Sequence, residues 1–404
     1  MSVFHDDPHS FYAAWRGRSP VLWLDDAPGG GPGWLITGYA EARAALADPA
    51  LSKATATVEA ALARHGSRPM ISGQWLTQSM INSDPPDHTR LRRLAAKAFS
   101  PKAVDALRPR IAEIAGSLLD DLARDGGAVD LMARFAGPLP ITVICELLGI
   151  VEDERGDFQD WTDTLIGHAP AEDKAAATGA MVGYLTALVA AKRADPGEDM
   201  LSALVQARDE GDALTERELI ATAFLLLVAG YETTVNLICN ALNALFDHPG
   251  QLAALRADPS LVPAAVEEFL RFDGPVGQAS FRVTTEPVSY GGAEIPAGEV
   301  VQVSLLAANR DPARFPDPDA LDIRRPAAGH LGFGHGIHHC LGAPLARMEA
   351  EIAFTMLLAR FPSFTRAPGH PPVWTRSDRL RGLRSLWVDL GPAYEAATGS
   401  RSGR

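Results

Sequence analysis

The sequence predicts one mainly α-helical unit over residues 1–404, with a smaller β-part. Three observations predict it. From about Ala40 to Leu270 the apolar residues recur with mostly helical spacing. Short β-type runs lie before and after that stretch. No repeat, low-complexity linker or clear domain boundary divides the chain, although its length alone is enough for about two or three average domains.

Taken in order, Val21-Leu22-Trp23-Leu24 and Trp34-Leu35-Ile36-Thr37 flank Gly29-Gly30-Gly31-Pro32-Gly33, which predicts a hairpin. The glycine run lacks the Lys-Ser/Thr of a phosphate loop and the spacing of a dinucleotide fingerprint, so it reads as a turn. A polar segment from Ser52 to Asn82, with Gly66, Pro69 and Gly73, reads as a loop with short helical pieces. Ser100-Pro101 is a helix start, with proline at the first helical position. Thr215-Glu216-Arg217-Glu218 is a capping box opening a long helix that ends before His248-Pro249-Gly250. Beyond Phe272, Phe281 to Thr285, Val288 to Tyr290 and Val300 to Leu305 read as strands, and a last helix starts near Cys340 to Gly342.

Lys and Arg total 37 against 50 Asp and Glu, a net charge of −13, which speaks against nucleic acid as a partner. Met1 to Phe11 is polar and acidic, unlike a signal peptide. The apolar run Ala223 to Gly230 is interrupted by Tyr231-Glu232-Thr233-Thr234, short of the roughly 18 residues of a membrane span. Cys145, Cys239 and Cys340 are too few for a disulfide framework, so a reducing cytoplasm is expected.

The strongest chemical signal is Phe333-Gly334-His335-Gly336-Ile337-His338-His339-Cys340-Leu341-Gly342. A cysteine just ahead of a helix meets backbone N–H groups and the helix dipole, both of which favour the metal-binding thiolate. Gly334 and Gly336 let the backbone run close to a flat ligand, and Phe333 can wall the sulfur from water. Two other readings stand beside this one. Cys340 can be a small core hydrophobe, and His335, His338, His339 and Cys340 can be a zinc cluster, although paired ligand arms are missing.

This segment resembles the Phe-Gly-x-Gly-x-His/Arg-x-Cys-x-Gly signature of the cytochrome P-450 family at every defined position. Three further segments resemble that family in the expected order. Glu268-Phe269-Leu270-Arg271 resembles its Glu-x-x-Arg, with Arg325 as third member and a structural role implied. Ala229-Gly230-Tyr231-Glu232-Thr233-Thr234 resembles its distal-helix motif, in which Thr233 hydrogen-bonds the oxygen being activated and Glu232 relays protons. Read locally, the same run is a set of helix-unfavourable residues that predicts a kink. Asp84-Pro85-Pro86-Asp87-His88-Thr89-Arg90-Leu91-Arg92 resembles its His-x-x-x-Arg, and the resemblance assigns His88, Arg92, Arg282 and His338 to the haem propionates. Without it, His88 and Arg92 are a solvated helix face.

The resemblance implies the helical, triangular-prism P-450 fold with a small β-rich region. It also implies haem b ligated by Cys340, and insertion of one oxygen atom into a C–H bond or alkene of a medium-sized, mostly apolar small molecule. A polyketide or macrolide, a terpenoid or a steroid is expected. The chain is too short to append a flavin domain, so a ferredoxin and its reductase are the expected electron donors, met at a basic patch including Arg347. A monomer is expected. The substrate wall is placed by analogy at Trp75 to Met80, Trp161 to His168, Leu226, Ala229, Pro275 to Ser280 and Leu383 to Leu386, with Gln74, Gln78 and Gln278 as its polar groups. Two rival classes share the ligand: a non-hydroxylating haem-thiolate enzyme (isomerase, dehydratase, cross-linking or peroxide-using) and a non-catalytic haem-binding sensor.

Overall fold

A computed structural model describes residues 2–28, 31–64, 79–99, 101–166, 169–209 and 214–393. Of the features singled out above, Gly29, Gly30, Gly66, Pro69, Gly73, Gln74, Trp75 to Gln78, Ser100 and His168 lie outside the described residues.

The fold is organised around one helix, Glu216–Asp247. Its start follows from the predicted capping box. The Thr215 hydroxyl accepts from the Glu218 N–H at 3.2 Å, and the Glu218 carboxylate accepts from the Thr215 N–H at 2.7 Å. It stops at His248, where Pro249 opens the next helix, Pro249–Ala257. Leu219 to Leu227 and Thr234 to Leu245 are buried, so the helix is apolar almost all round, as a helix surrounded by others must be. Helices Pro138–Leu147, Ala171–Ala194, Val262–Asp273 and Ala343–Arg360 pack around it. Burying each of its leucines contributes roughly 1.5–3 kcal/mol.

This burial corrects one expectation. Helices Ala171–Ala194 and Glu216–Asp247 are both long and apolar enough to cross a membrane by length and composition alone. Polar interruptions such as Glu232 do not lower the mean hydropathy of a long segment enough to exclude it. In Glu216–Asp247, 72% of the apolar stretch is buried within the protein, the place of a core helix.

The β-segments from the two ends of the chain form one sheet of five strands. In spatial order these are Val21–Leu24, Gly33–Ile36, Val300–Val303, Arg282–Thr284 and Leu51–Ser52. The first pair is the predicted hairpin, with Val21 opposite Ile36. Gly33–Ile36 then runs parallel to Val300–Val303, bringing the N-terminal region against the segment that precedes the cysteine loop. Val300–Leu305 was read as one strand, but Leu305 starts a short helix, Leu305–Asn309. The Ser304 hydroxyl caps it by accepting from the Ala307 N–H at 3.1 Å. A second sheet of Gly127–Asp130, Trp387–Leu390 and Phe364–Arg366 was not anticipated. Its strands are three or four residues long, and Trp387–Leu390 pairs with Gly127–Asp130 across more than two hundred positions, so no local pattern marks that pairing.

The Glu-x-x-Arg pair is a buried junction and not a surface ion pair. Glu268 and Arg271 side chains are both 0% exposed and meet through Nε–Oε2 at 2.6 Å and a second bond at 2.8 Å. Arg325 joins Glu268 at 3.3 Å, as expected. Arg271 also donates to the carbonyls of Asn309, Pro318 and Ala320, tying the loop before the cysteine to helix Val262–Asp273.

Candidate haem site

The cysteine loop is shaped by backbone conformations that only glycine adopts freely. Gly334 and Gly336 have φ of 73° and 75°. A Cβ on Gly336 would meet the Leu46 carbonyl oxygen at 2.6 Å, so this glycine serves close packing on helix Tyr39–Ala47 and not, as read from sequence, approach to a flat ligand. At Gly334 the nearest atom is 3.9 Å away, leaving that side open. The Cys340 N–H donates to the Phe333 carbonyl at 2.9 Å, closing the loop before helix Ala343–Arg360 begins.

Cys340 lies deep in the fold, yet its side chain is exposed, so the sulfur faces an internal space. Burial pushes its thiol upward in pKa. The backbone N–H groups of Gly342 and Ala343 and the charges of Arg92 and Arg347 oppose that push without cancelling it. The predicted donors are therefore present, and burial works against them. A cation held at the sulfur offsets that burial, because a metal deprotonates a coordinating thiol. Among the described residues, no group of three or more His, Cys, Asp or Glu is arranged to hold a metal ion, which removes the zinc reading. Cys340 fits a metal that takes its other ligands from a macrocycle.

Beside the thiol lies a concentration of cations. His88 and Arg92 occupy helix Asp87–Ala98, one turn apart. Arg92 donates to the His339 carbonyl at 2.7 Å, binding that helix to the cysteine loop. His88 is 2% exposed, and its ring lies 4.3 Å from the ring of His338. Arg282, on its sheet strand and 3% exposed, donates to the Ser280 carbonyl at 3.2 Å. All four residues expected at propionates thus converge, and the solvated-face reading of His88 and Arg92 fails. Lys53 and Arg379, which sequence reasoning missed, join them. Burial lowers the His338 imidazole far below its ordinary range, aided by Lys53, His88, Arg282 and Arg92. Burial likewise brings Arg282 down to about 10. Facing these groups are Asp84 and, beside Arg282, Tyr290. Among the described residues the buried His88 Nε2 has no partner. A ligand bearing two carboxylates beside a metal matches this donor set, and haem b is such a ligand.

Thr233 and Glu232 lie on the central helix, which continues through them to Asp247. The Thr233 hydroxyl donates to the Ala229 carbonyl at 2.7 Å and the Thr234 hydroxyl to Gly230 at 3.4 Å, so both satisfy themselves inside the helix. Ala229 is exposed while the turns before it are buried, so this face borders open space. Burial raises the Glu232 carboxyl to about 7, with the nearby Asn236 amide opposing the shift and Asp163 adding to it. The Glu232 Oε2 is buried and has no partner among the described residues. Asp163, on helix Arg155–Ile166, hydrogen-bonds Tyr231 and is also raised, first by burial and then by Asp160.

Two further expectations need correction. Gln278 is 3% exposed and donates to the Tyr12 hydroxyl at 3.2 Å, so it braces the fold and offers nothing to a substrate. Arg347 is held by Glu267 at 2.5 and 3.0 Å and lies over the Phe333 ring at 4.5 Å. Its charge is answered within the protein, and Phe333 is covered from the helix side.

Residues 175–374 match the family model for cytochrome P-450. The chain is 48% identical over 396 residues to a vitamin D(3) 25-hydroxylase of Pseudonocardia autotrophica, covering 96% of this chain and 95% of the relative. It is 42% identical over 395 residues to the 6-deoxyerythronolide B hydroxylase of Saccharopolyspora erythraea, covering 96% and 97%. The solved structure of the tirandamycin C-bound monooxygenase TamI superposes with a TM-score of 0.89 at 47% identity, covering 97% of this chain and 99% of that one. The thiol loop, the cationic cluster and these likenesses along the whole length agree: this chain belongs to the cytochrome P-450 family, a haem b monooxygenase with that family's fold.

Proposed function

We propose that the chain, acting as a single catalytic domain over residues 1–404, hydroxylates or epoxidises a medium-sized, mostly apolar natural product of the polyketide, macrolide, terpenoid or steroid kind. The observation that carries this is the set of close relatives named for oxidising or binding vitamin D(3), 6-deoxyerythronolide B and tirandamycin C. Haem b, when bound, activates O2 and delivers one of its oxygen atoms to the substrate.

The chain's residues do the rest. Cys340 provides the thiolate ligand, held in place by its N–H bond to Phe333 and by the donors from Gly342 and Ala343. His88, Arg92, Arg282 and His338 take the propionates, while Phe333 and Gly334 shape the sulfur side of the pocket. Glu232 holds a proton near neutral pH at a carboxyl whose Oε2 has no partner among the described residues. Thr233 passes that proton toward the substrate side by turning its hydroxyl from the Ala229 carbonyl. Retention of both groups supports monooxygenation over a peroxide-using or sensory role. As a bacterial-type family member the chain takes electrons from a redox partner; a ferredoxin and its reductase fill that place, and the enzyme works as a cytoplasmic monomer.

Purified protein supplied with ferredoxin, ferredoxin reductase and NAD(P)H tests this against a panel of macrolides, polyketides and steroids. At least one compound is expected to shift the haem spin state and return a product heavier by one oxygen atom. Turnover with peroxide alone, or isomerised product without added oxygen, would contradict the proposal.

A further inference from the structure

The sheet beside the cationic cluster holds a local arrangement that its own packing does not explain. Strand Leu51–Ser52 runs antiparallel to Arg282–Thr284, with Leu51 opposite Thr284 and Ser52 opposite Val283. Continuing that register by one residue places Lys53 across from Arg282. Residues directly opposite share one face of a sheet, and like charges there destabilise it. Both are buried, Lys53 at 4% and Arg282 at 3% exposure. Desolvation makes the repulsion worse than it would be at a surface.

Asp84 does not resolve it. One of its oxygens accepts from the Ser52 hydroxyl at 2.5 Å and the other from the Lys53 backbone N–H at 2.9 Å. The Lys53 ammonium itself makes no hydrogen bond or ion pair among the described residues, while Arg282, Arg379, His88 and His338 surround it. Like-charged groups are retained inside a protein where something of opposite sign binds between them. Here that position adjoins the two histidines and two arginines already assigned to carboxylates.

We propose that Lys53 is a fifth propionate-binding residue of this chain, fixed opposite Arg282 by the sheet register and unpartnered until haem b is present; this rests on the haem reading above. A single lysine after Leu51-Ser52 carries no motif, which is why the sequence does not disclose it.

Haem transfer from the holoenzyme to excess apomyoglobin tests the assignment, comparing wild type with Lys53→Met, each loaded with haem b and with haem b dimethyl ester. Loss of one charge-assisted hydrogen bond predicts about tenfold faster release of native haem from the variant. With both propionates esterified, the two proteins should release at the same rate. Equal rates with native haem overturn the proposal, as does a difference that persists with the ester, since Lys53 would then act through the fold. Melting of the haem-free proteins gives a second reading. Lys53→Met should melt higher, having lost a buried unpaired cation, and a lower melting temperature would overturn the proposal. A wild type that binds haem without thiolate ligation sinks the Cys340 assignment instead and leaves the release comparison intact.

Discussion

Glu268→Ala is expected to lower folding stability by about 3–5 kcal/mol, the loss typical of removing one partner from a buried ion pair. The carboxylate is fully buried and receives two bonds from Arg271, one from Arg325 at 3.3 Å and one from the Asp322 N–H at 3.0 Å. Removing it strands the Arg271 guanidinium in the core beside carbonyls that satisfy only part of its charge. Against a total of about 5–15 kcal/mol for a folded protein, the variant should melt far below wild type and accumulate poorly as soluble haem protein. Replacing Glu268 and Arg271 together by apolar residues of similar volume should cost less than Glu268→Ala alone, because the fully buried Arg271 guanidinium is then not stranded, while Arg325 keeps its bonds to the Pro316, Asp317 and Ala320 carbonyls. Thermal unfolding of the three proteins decides. An unchanged melting temperature in Glu268→Ala would mean that this junction does not hold the loop ahead of Cys340.

Thr233→Ala is expected to leave the fold intact and to separate oxygen consumption from product formation. Alanine favours a helix more than threonine does, by a few tenths of a kcal/mol, and among the described residues the bond lost is internal to the helix. What disappears is the hydroxyl proposed to take a proton from Glu232. Positioned proton transfer contributes about 100-fold or more to the reactions that use it, so product per NAD(P)H oxidised should fall by at least about tenfold. NAD(P)H oxidation itself should continue, with peroxide or water as its end. Simultaneous assay of oxygen uptake, peroxide and product gives the ratio. Unchanged coupling would remove Thr233 from the proton path.

Much of the site was legible because its chemistry is tied to local sequence. The capping box at Thr215 and Glu218 and the proline after His248 bound the central helix within a residue. The cysteine signature carried its own glycine geometry, although Gly336 proved to answer to Leu46, a contact 290 positions away that no local pattern can announce. The helical spacing of His88 and Arg92 was readable, but not the burial of His88, which depends on packing from segments distant in the chain. Lys53 was hidden for the same reason. Glu268 and Arg271 show the converse: three-residue spacing predicts contact, while only the packing of helix Val262–Asp273 decides that the contact is fully buried. The donors at the helix start ahead of Cys340 were legible, whereas the burial that opposes them depends on packing from distant segments.

The central claim is that Cys340 binds haem iron through its sulfur. The most direct measurement is the absorption spectrum of the purified protein after dithionite reduction and exposure to carbon monoxide, for wild type and Cys340→His. The account predicts a strongly red-shifted Soret band in wild type that is lost in the variant while haem remains bound. A wild-type spectrum without that shift, or one that survives Cys340→His, would contradict it.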